Sequence, residues 1–139
     1  MKKTLFIFLI LTMCISLISC GTGESKEDLW QNATYTEDME FGDGSEDLTV
    51  KVTAEEKSVT FTVHTDKETL GDALLEHSLI SGEKGPYGLY VKTVNGIYAD
   101  YNKTKSYWAV NKDGEYMMTG VDSEKVEEDS IYEFIYTKN

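Results

Sequence analysis

Leu48-Thr49-Val50-Lys51-Val52-Thr53 and, a few residues on, Val59-Thr60-Phe61-Thr62-Val63-His64 are the stretches whose reading decides the fold. Apolar and polar side chains alternate in both, the period of a strand with one face in a core and one toward water. Glu55-Glu56-Lys57 turns the chain between them, so the pair reads as a β-hairpin.

Outward from the hairpin the period changes. Thr65 and Glu68 have the spacing of a capping box. Leu70, Ala73, Leu74 and His77 then fall at i, i+3, i+4 and i+7, with Leu75 and Leu79 widening the stripe, which predicts one amphipathic helix ending between Ser78 and Gly82. Gly82-Glu83-Lys84-Gly85-Pro86 reads as a loop and Tyr87 to Val94 as a strand. Asn95-Gly96 is a type I′ hairpin signal that sends Ile97-Tyr98 back. Tyr107 to Val110 and Glu115 to Met118 flank the turn Asn111-Lys112-Asp113-Gly114, and Ile131 to Tyr136 closes the chain. The order predicts an α+β fold, a mixed or antiparallel sheet with one helix packed on a face.

The N-terminus carries a different signal. Lys2 and Lys3 precede an apolar run from Leu5 to Ile18, the n- and h-regions of a signal peptide. As a helix that run would rise about 21 Å, short of the roughly 30 Å needed to span a bilayer. Leu17-Ile18-Ser19-Cys20-Gly21 resembles the lipobox of bacterial lipoproteins. That resemblance implies cleavage before Cys20, diacylglycerol on its thiol, and a protein held on the extracytoplasmic face of the cell membrane by two acyl chains. Residues 20–47 are acidic, with Gly21, Gly23, Gly42 and Gly44, and read as a flexible tether spanning about 28 Å. Leu29, Trp30, Tyr35, Met39 and Phe41 are apolar enough to dock part of it on the domain.

Composition excludes several functions. The chain of 139 residues has a formal charge of −12. Loss of residues 1–19 removes two lysines and no acid, giving −14. All 13 basic residues are lysine, so bidentate guanidinium readout of phosphate or base is absent and nucleic acid is not expected as a partner. Cys14 is discarded and Cys20 lipidated, which leaves the folded part without a thiol for a disulfide or thiolate metal site. No nucleophile elbow, zinc-protease helix or phosphate loop is present, and an enzyme is not expected.

Tyr87-Gly88, Val94-Asn95-Gly96, Tyr107-Trp108, Thr119-Gly120-Val121-Asp122 and Tyr132-Glu133-Phe134-Ile135-Tyr136-Thr137 follow one another in the order of a known group. The helix before them, Thr69-Leu70-Gly71-Asp72-Ala73-Leu74, matches as well, and over residues 48–139 the chain resembles the transcobalamin-like C-terminal domain family. Glu128-Asp129-Ser130 stands where the family has Asp-Gly-Asp, and the turn after Val110-Asn111 is longer than usual. The resemblance implies a β-grasp-like fold and a candidate corrinoid-binding surface, since in animal cobalamin carriers this domain closes over one face of the corrin. The aromatic residues at or beside matching positions are Tyr87, Tyr90, Tyr98, Tyr101, Tyr107, Trp108 and Tyr116. Tyrosine and tryptophan suit such a surface because they offer rigid area with a hydrogen-bonding tip.

Other expectations stand beside that one. A protein-interaction or adhesion module would use an exposed sheet edge. A metal-binding accessory lipoprotein would need His64 and His77 to converge with carboxylates such as Asp66 or Glu76. A captured ligand would pass to a membrane transporter. Asp38, Glu40, Asp43, Glu46 and Asp47, like Glu124, Glu127, Glu128 and Asp129, lack the spacing of a calcium loop and read as solvated charge.

Overall fold

The computed structural model describes residues Glu27–Asn139. The signal peptide and the lipobox with Cys20 lie outside the described residues.

The alternating pattern forms the expected hairpin. Strands β2 (Glu46–Ala54) and β3 (Lys57–Thr65) pair antiparallel with Val50 opposite Phe61. That register puts Leu48, Val50, Val52, Val59, Phe61 and Val63 on one buried face. The C-terminal strand β9 (Ile131–Lys138) adds parallel to β2, with Val52 opposite Phe134, and buries Tyr132 and Phe134 on the same face. Strand β7 (Ser106–Lys112) lies antiparallel to β9, and the short β8 (Glu115–Tyr116) folds back on β7. With β1 (Met39–Phe41) parallel to β3, the sheet order is β1-β3-β2-β9-β7-β8. The central parallel pair beside an antiparallel hairpin and a packed helix is the β-grasp-like α+β arrangement expected.

Helix α1 (Leu70–Glu76) buries Leu70, Ala73 and Leu74. Its cap lies four residues later than the expected Thr65 box. Thr69 accepts from the Asp72 N–H at 3.2 Å, while Thr65, still the last residue of β3, accepts from the Lys67 N–H at 3.0 Å. The helix stops where Ser78 takes a left-handed conformation, φ 55°.

A second sheet, β4-β5-β6, stands beside the first. Asn95 (φ 50°) and Gly96 (φ 79°) make the two-residue turn between β5 (Gly88–Val94) and β6 (Ile97–Tyr98). The stretch read as a loop is strand β4 (Ile80–Gly85), paired antiparallel with β5. Its glycines and charges concealed it because residues 81–85 are all exposed, so no apolar alternation was required of them. A single helical turn α2 (Tyr101–Thr104), capped by Asp100, also escaped the sequence reading.

The largest departure concerns residues 29–47, expected to belong to a flexible tether. They are docked. A 3-10 helix (Leu29–Asn32) buries Trp30, 7% exposed, and β1 extends the sheet. Tyr35, Phe41 and Phe61 form an aromatic cluster with edge-on centroid separations of 5.2, 5.5 and 5.8 Å. Enough apolar area enters the core to offset the entropy of ordering this segment.

Candidate functional site

The outer edge of β7 faces β5 across a gap between the two sheets, and a hollow of about 150 Å³ lies there. Leu89, Tyr90 and Val91 of β5 form one wall, and Trp108 and Val110 of β7 the other. Tyr116, Met117 and the loop Thr119-Gly120-Val121 close the end. Alternation along β7 turns Trp108 toward the core and Tyr107 to the opposite face. The indole N–H of Trp108 donates to the Ile97 carbonyl at 3.2 Å, and its ring meets Tyr136 edge-on at 5.6 Å. One face of the hollow is therefore a rigid, satisfied aromatic wall.

The seven aromatic residues singled out from the sequence are distributed as follows. Tyr90 (44% exposed), Trp108 and Tyr116 (61%) line the hollow. Tyr87, 97% exposed, tips the β4–β5 turn above it. Tyr98 and Tyr101 are elsewhere: Tyr98 donates its hydroxyl to Asp100 at 2.9 Å, and Tyr101 opens α2 with the Lys105 ammonium 5.1 Å over its ring. Tyr98 lines a broader, open cleft of about 1150 Å³ with Leu29, Asn32, Glu55, Ile97 and Tyr136. Its size alone does not make it the better site, because Glu27, Glu55 and Lys138 line it and, of the seven aromatic residues, it gathers Tyr98 alone. Tyr107 reaches neither. Sequence reasoning missed Leu89, Val91, Met117 and the Thr119–Val121 loop, although the Met117-Met118 pair ahead of a Thr-Gly turn was a visible signal; Met118 is 88% exposed beside the hollow-lining Met117.

Two ionic arrangements hold the frame around the hollow. Lys112 pairs with Glu124 at 2.5 Å and Glu127 at 3.0 Å, which pushes its pKa up. Glu124 also accepts from the Tyr132 hydroxyl at 3.3 Å, and burial pushes that phenol up to about 12. On the other sheet Lys92 bridges Glu83 at 3.0 Å and the buried Asp100 at 3.1 Å. Lys92 holds the Asp100 carboxyl below its usual range, with Tyr98 adding to the effect.

The two histidines are held differently. His64 has Asp47 at 2.5 Å on Nδ1 and Glu40 on Nε2. These nitrogens point away from each other, so the two carboxylates cannot share one ion with the ring. His64, His77, Asp66 and Glu76 do line one small cavity, of about 180 Å³, and His77 Nε2 is buried without a hydrogen bond, with a Glu76 carboxylate oxygen 3.8 Å away. Among the described residues, however, no three His, Cys, Asp or Glu side chains converge as metal ligands.

No curated protein matches the chain. The structure is similar to a crystal structure from Ruminococcus gnavus ATCC 29149 described as "a putative metal binding protein". The TM-score is 0.64 and the identity 29%, over 68% of this chain and 99% of that one. It is also similar to haptocorrin in complex with Cbi, with TM-score 0.55 and 20% identity over 70% of this chain and 26% of that one. At that identity the likeness is one of fold, and it relates the fold to the expected transcobalamin-like one without placing the chain in that family. Residues 67–138, more than half of the chain, match the family described as "Domain of unknown function (DUF4430)", and the protein belongs to that family.

Proposed function

We propose that this protein is a lipid-anchored binding module on the extracytoplasmic face of the membrane. It captures a small, flat ligand on the hollow beside Trp108, with a corrinoid as the named candidate. The observation that carries the reading is the meeting of Tyr90, Trp108, Tyr116 and Met117 in a gap between two sheets. A volume near 150 Å³ admits the edge or one face of a ring system, not a whole macrocycle. A corrinoid would lie across the mouth against Tyr90 and Tyr116. The likeness to the haptocorrin domain supports this choice of ligand. The module binds and does no chemistry, and it would hand its ligand to a membrane transporter.

Titration of residues 21–139 with cyanocobalamin, aquocobalamin and cobinamide, read by visible spectra and calorimetry, tests the ligand. Tyr90→Ala and Tyr116→Ala should each weaken binding. Silence at high micromolar ligand would end the corrinoid reading, and heat with zinc alone would replace it with metal binding. The anchor has its own test. Cys20→Ala should leave the precursor unprocessed or release protein to the medium, and a variant cleaved and membrane-bound as before would remove the lipoprotein assignment.

Recruitment of a partner protein by strand addition has one observation in its favour, the exposed outer edge of β4. Against it stand Glu83 and Lys84 on that strand and a register shift at Ser81/Gly82, devices that blunt an edge.

A further inference from the structure

Gly88 and Asp122, the last residues of two short motifs noted in the sequence, Tyr87-Gly88 and Thr119-Gly120-Val121-Asp122, do not line the hollow. They meet in the structure. Both carboxylate oxygens of Asp122 lie 3.0 Å from the Leu89 backbone nitrogen and accept its N–H. Gly88 (φ +99°) makes room for them, since a Cβ there would stand 2.8 and 2.9 Å from the two oxygens.

The loop that carries Asp122 is fastened on its other sides. The Gly71 N–H donates to the Val121 carbonyl at 2.8 Å and the Leu70 N–H to the Glu124 carbonyl at 2.9 Å, which seats the loop on the N-terminus of α1. A Cβ on Gly71 would come within 3.2 Å of the Asp122 nitrogen, so the approach is close. Glu124 ties the same loop to β7 through Lys112. The β4–β5 hairpin tip has much less to hold it. Residues 81–87 are exposed, and β5 shares no strand ladder with β7. Leu89, Tyr90 and Val91 form one wall of the hollow, and the Asp122-bearing loop with β7 and β8 forms the rest.

We infer that Asp122 is a positioning residue for the hollow: its carboxylate sets the distance between the β5 wall and the Trp108–Tyr116 wall, and ligand affinity depends on it although it does not line the surface. The inference rests on the hollow being the binding site. A charge-assisted hydrogen bond to a backbone N–H is strong enough to hold a weakly packed hairpin tip in one place. A ligand then meets walls already at working separation and does not bear the cost of ordering them.

The test compares the wild-type chain with Asp122→Ala, Asp122→Ser and Asp122→Asn, using cobinamide as the probe. Three readouts are taken: affinity, hydrogen exchange at the Leu89 amide, and the thermal midpoint. Asp122→Ala should fold, exchange Leu89 faster and bind cobinamide at least about tenfold more weakly, a loss of the size expected for one such bond. Asp122→Asn keeps an acceptor oxygen facing Leu89 and should recover most of the affinity, which a general loss of stability would not allow. Should the Ala variant fail to fold, Asp122→Ser carries the same expectation in direction, because its hydroxyl falls short of the carboxylate oxygens and offers at best one long, uncharged bond to Leu89. Wild-type affinity in the Ala or Ser variant, or unchanged Leu89 exchange, overturns the positioning role. A wild-type chain that ignores cobinamide overturns the corrinoid reading instead, and Leu89 exchange then decides by itself whether Asp122 holds the hairpin.

Discussion

The indole nitrogen of Trp30 donates to the carbonyl of Ala54 at 2.9 Å, joining the N-terminal segment to the end of the first hairpin strand 24 residues later. Trp30 thereby covers the open end of the core, where Ala54 and Val59 are also buried. Removing the ring uncovers apolar area and leaves the carbonyl without its donor. Trp30→Ala should cost about 3–5 kcal/mol in urea unfolding. A chain beginning at Leu48 should be less stable still, since it also lacks Tyr35 and Phe41. Unfolding midpoints equal to that of residues 27–139 would show that the segment is not part of the domain.

Asn95 has two functions in one position. Its backbone makes the β5–β6 turn, and its buried side chain donates to the Tyr35 carbonyl at 2.8 Å and accepts from the Tyr35 N–H at 2.9 Å. Asn95→Ala should cost about 2–3 kcal/mol, because Tyr35 keeps two desolvated backbone groups without partners. Gly96→Ala should also destabilise, as a Cβ would stand 2.4 Å from the Asn32 carbonyl and φ is +79°. Chemical denaturation of the two variants checks both.

His64 gives the domain a pH dependence of definite sign. Hydrogen bonds to Asp47 and then Glu40 raise its pKa above 6.5. A neutral imidazole has one N–H and can serve one carboxylate; the protonated ring serves both. The contribution is thus fully present below pH 6.5 and is lost as pH rises through the folded-state pKa. Asp43, Asp66, Glu76, His77 and Lys67 line the cavity against this ring and add to the local field. The thermal midpoint should fall above pH 6.5 in the wild-type chain and vary less in His64→Gln. An NMR titration giving His64 a pKa at or below 6.5 would contradict this.

The ion pairs should differ in worth. Lys51 and Glu133, 3.2 Å apart, have side chains 44% and 28% exposed, and Lys51→Met should change stability by no more than about 0.5 kcal/mol. Lys112 and Glu124 are 22% and 14% exposed, and Glu124 also receives the Tyr132 hydroxyl. Lys112→Met leaves that carboxylate half-desolvated and should cost about 1–2 kcal/mol. The two variants measured side by side in urea give the comparison.

Much of the architecture was legible because it follows from periodicity. The alternation in 48–64, the stripe from Leu70 to His77, Asn95-Gly96 and the last strand each stated their own conformation. Strand β4 was not legible, since an exposed edge strand rich in glycine and charge carries no apolar period. The 3-10 helix and β1 were obscured for a related reason. Their aromatic residues are spaced for docking onto a surface made by residues far ahead in the chain. At the candidate site, sequence could nominate aromatic residues but not group them. Tyr98 and Tyr101 lie beside a turn just as Tyr87 does, yet Tyr98 on β6 and Tyr101 on α2 line no part of the hollow beside Trp108.

The sequence by itself determined the charge, the absence of arginine and of thiols from the folded part, the lipobox pattern at Cys20, and the period of each core element. These are properties of composition and of neighbours along the chain. Only the tertiary structure decided that Trp30 seals the core, that Tyr90, Trp108 and Tyr116 share a hollow while Tyr107 turns away, and that Asp122 grips the amide of Leu89. Those are contacts between residues tens of positions apart, set by which strands pair and in which register, and a local pattern carries no record of them.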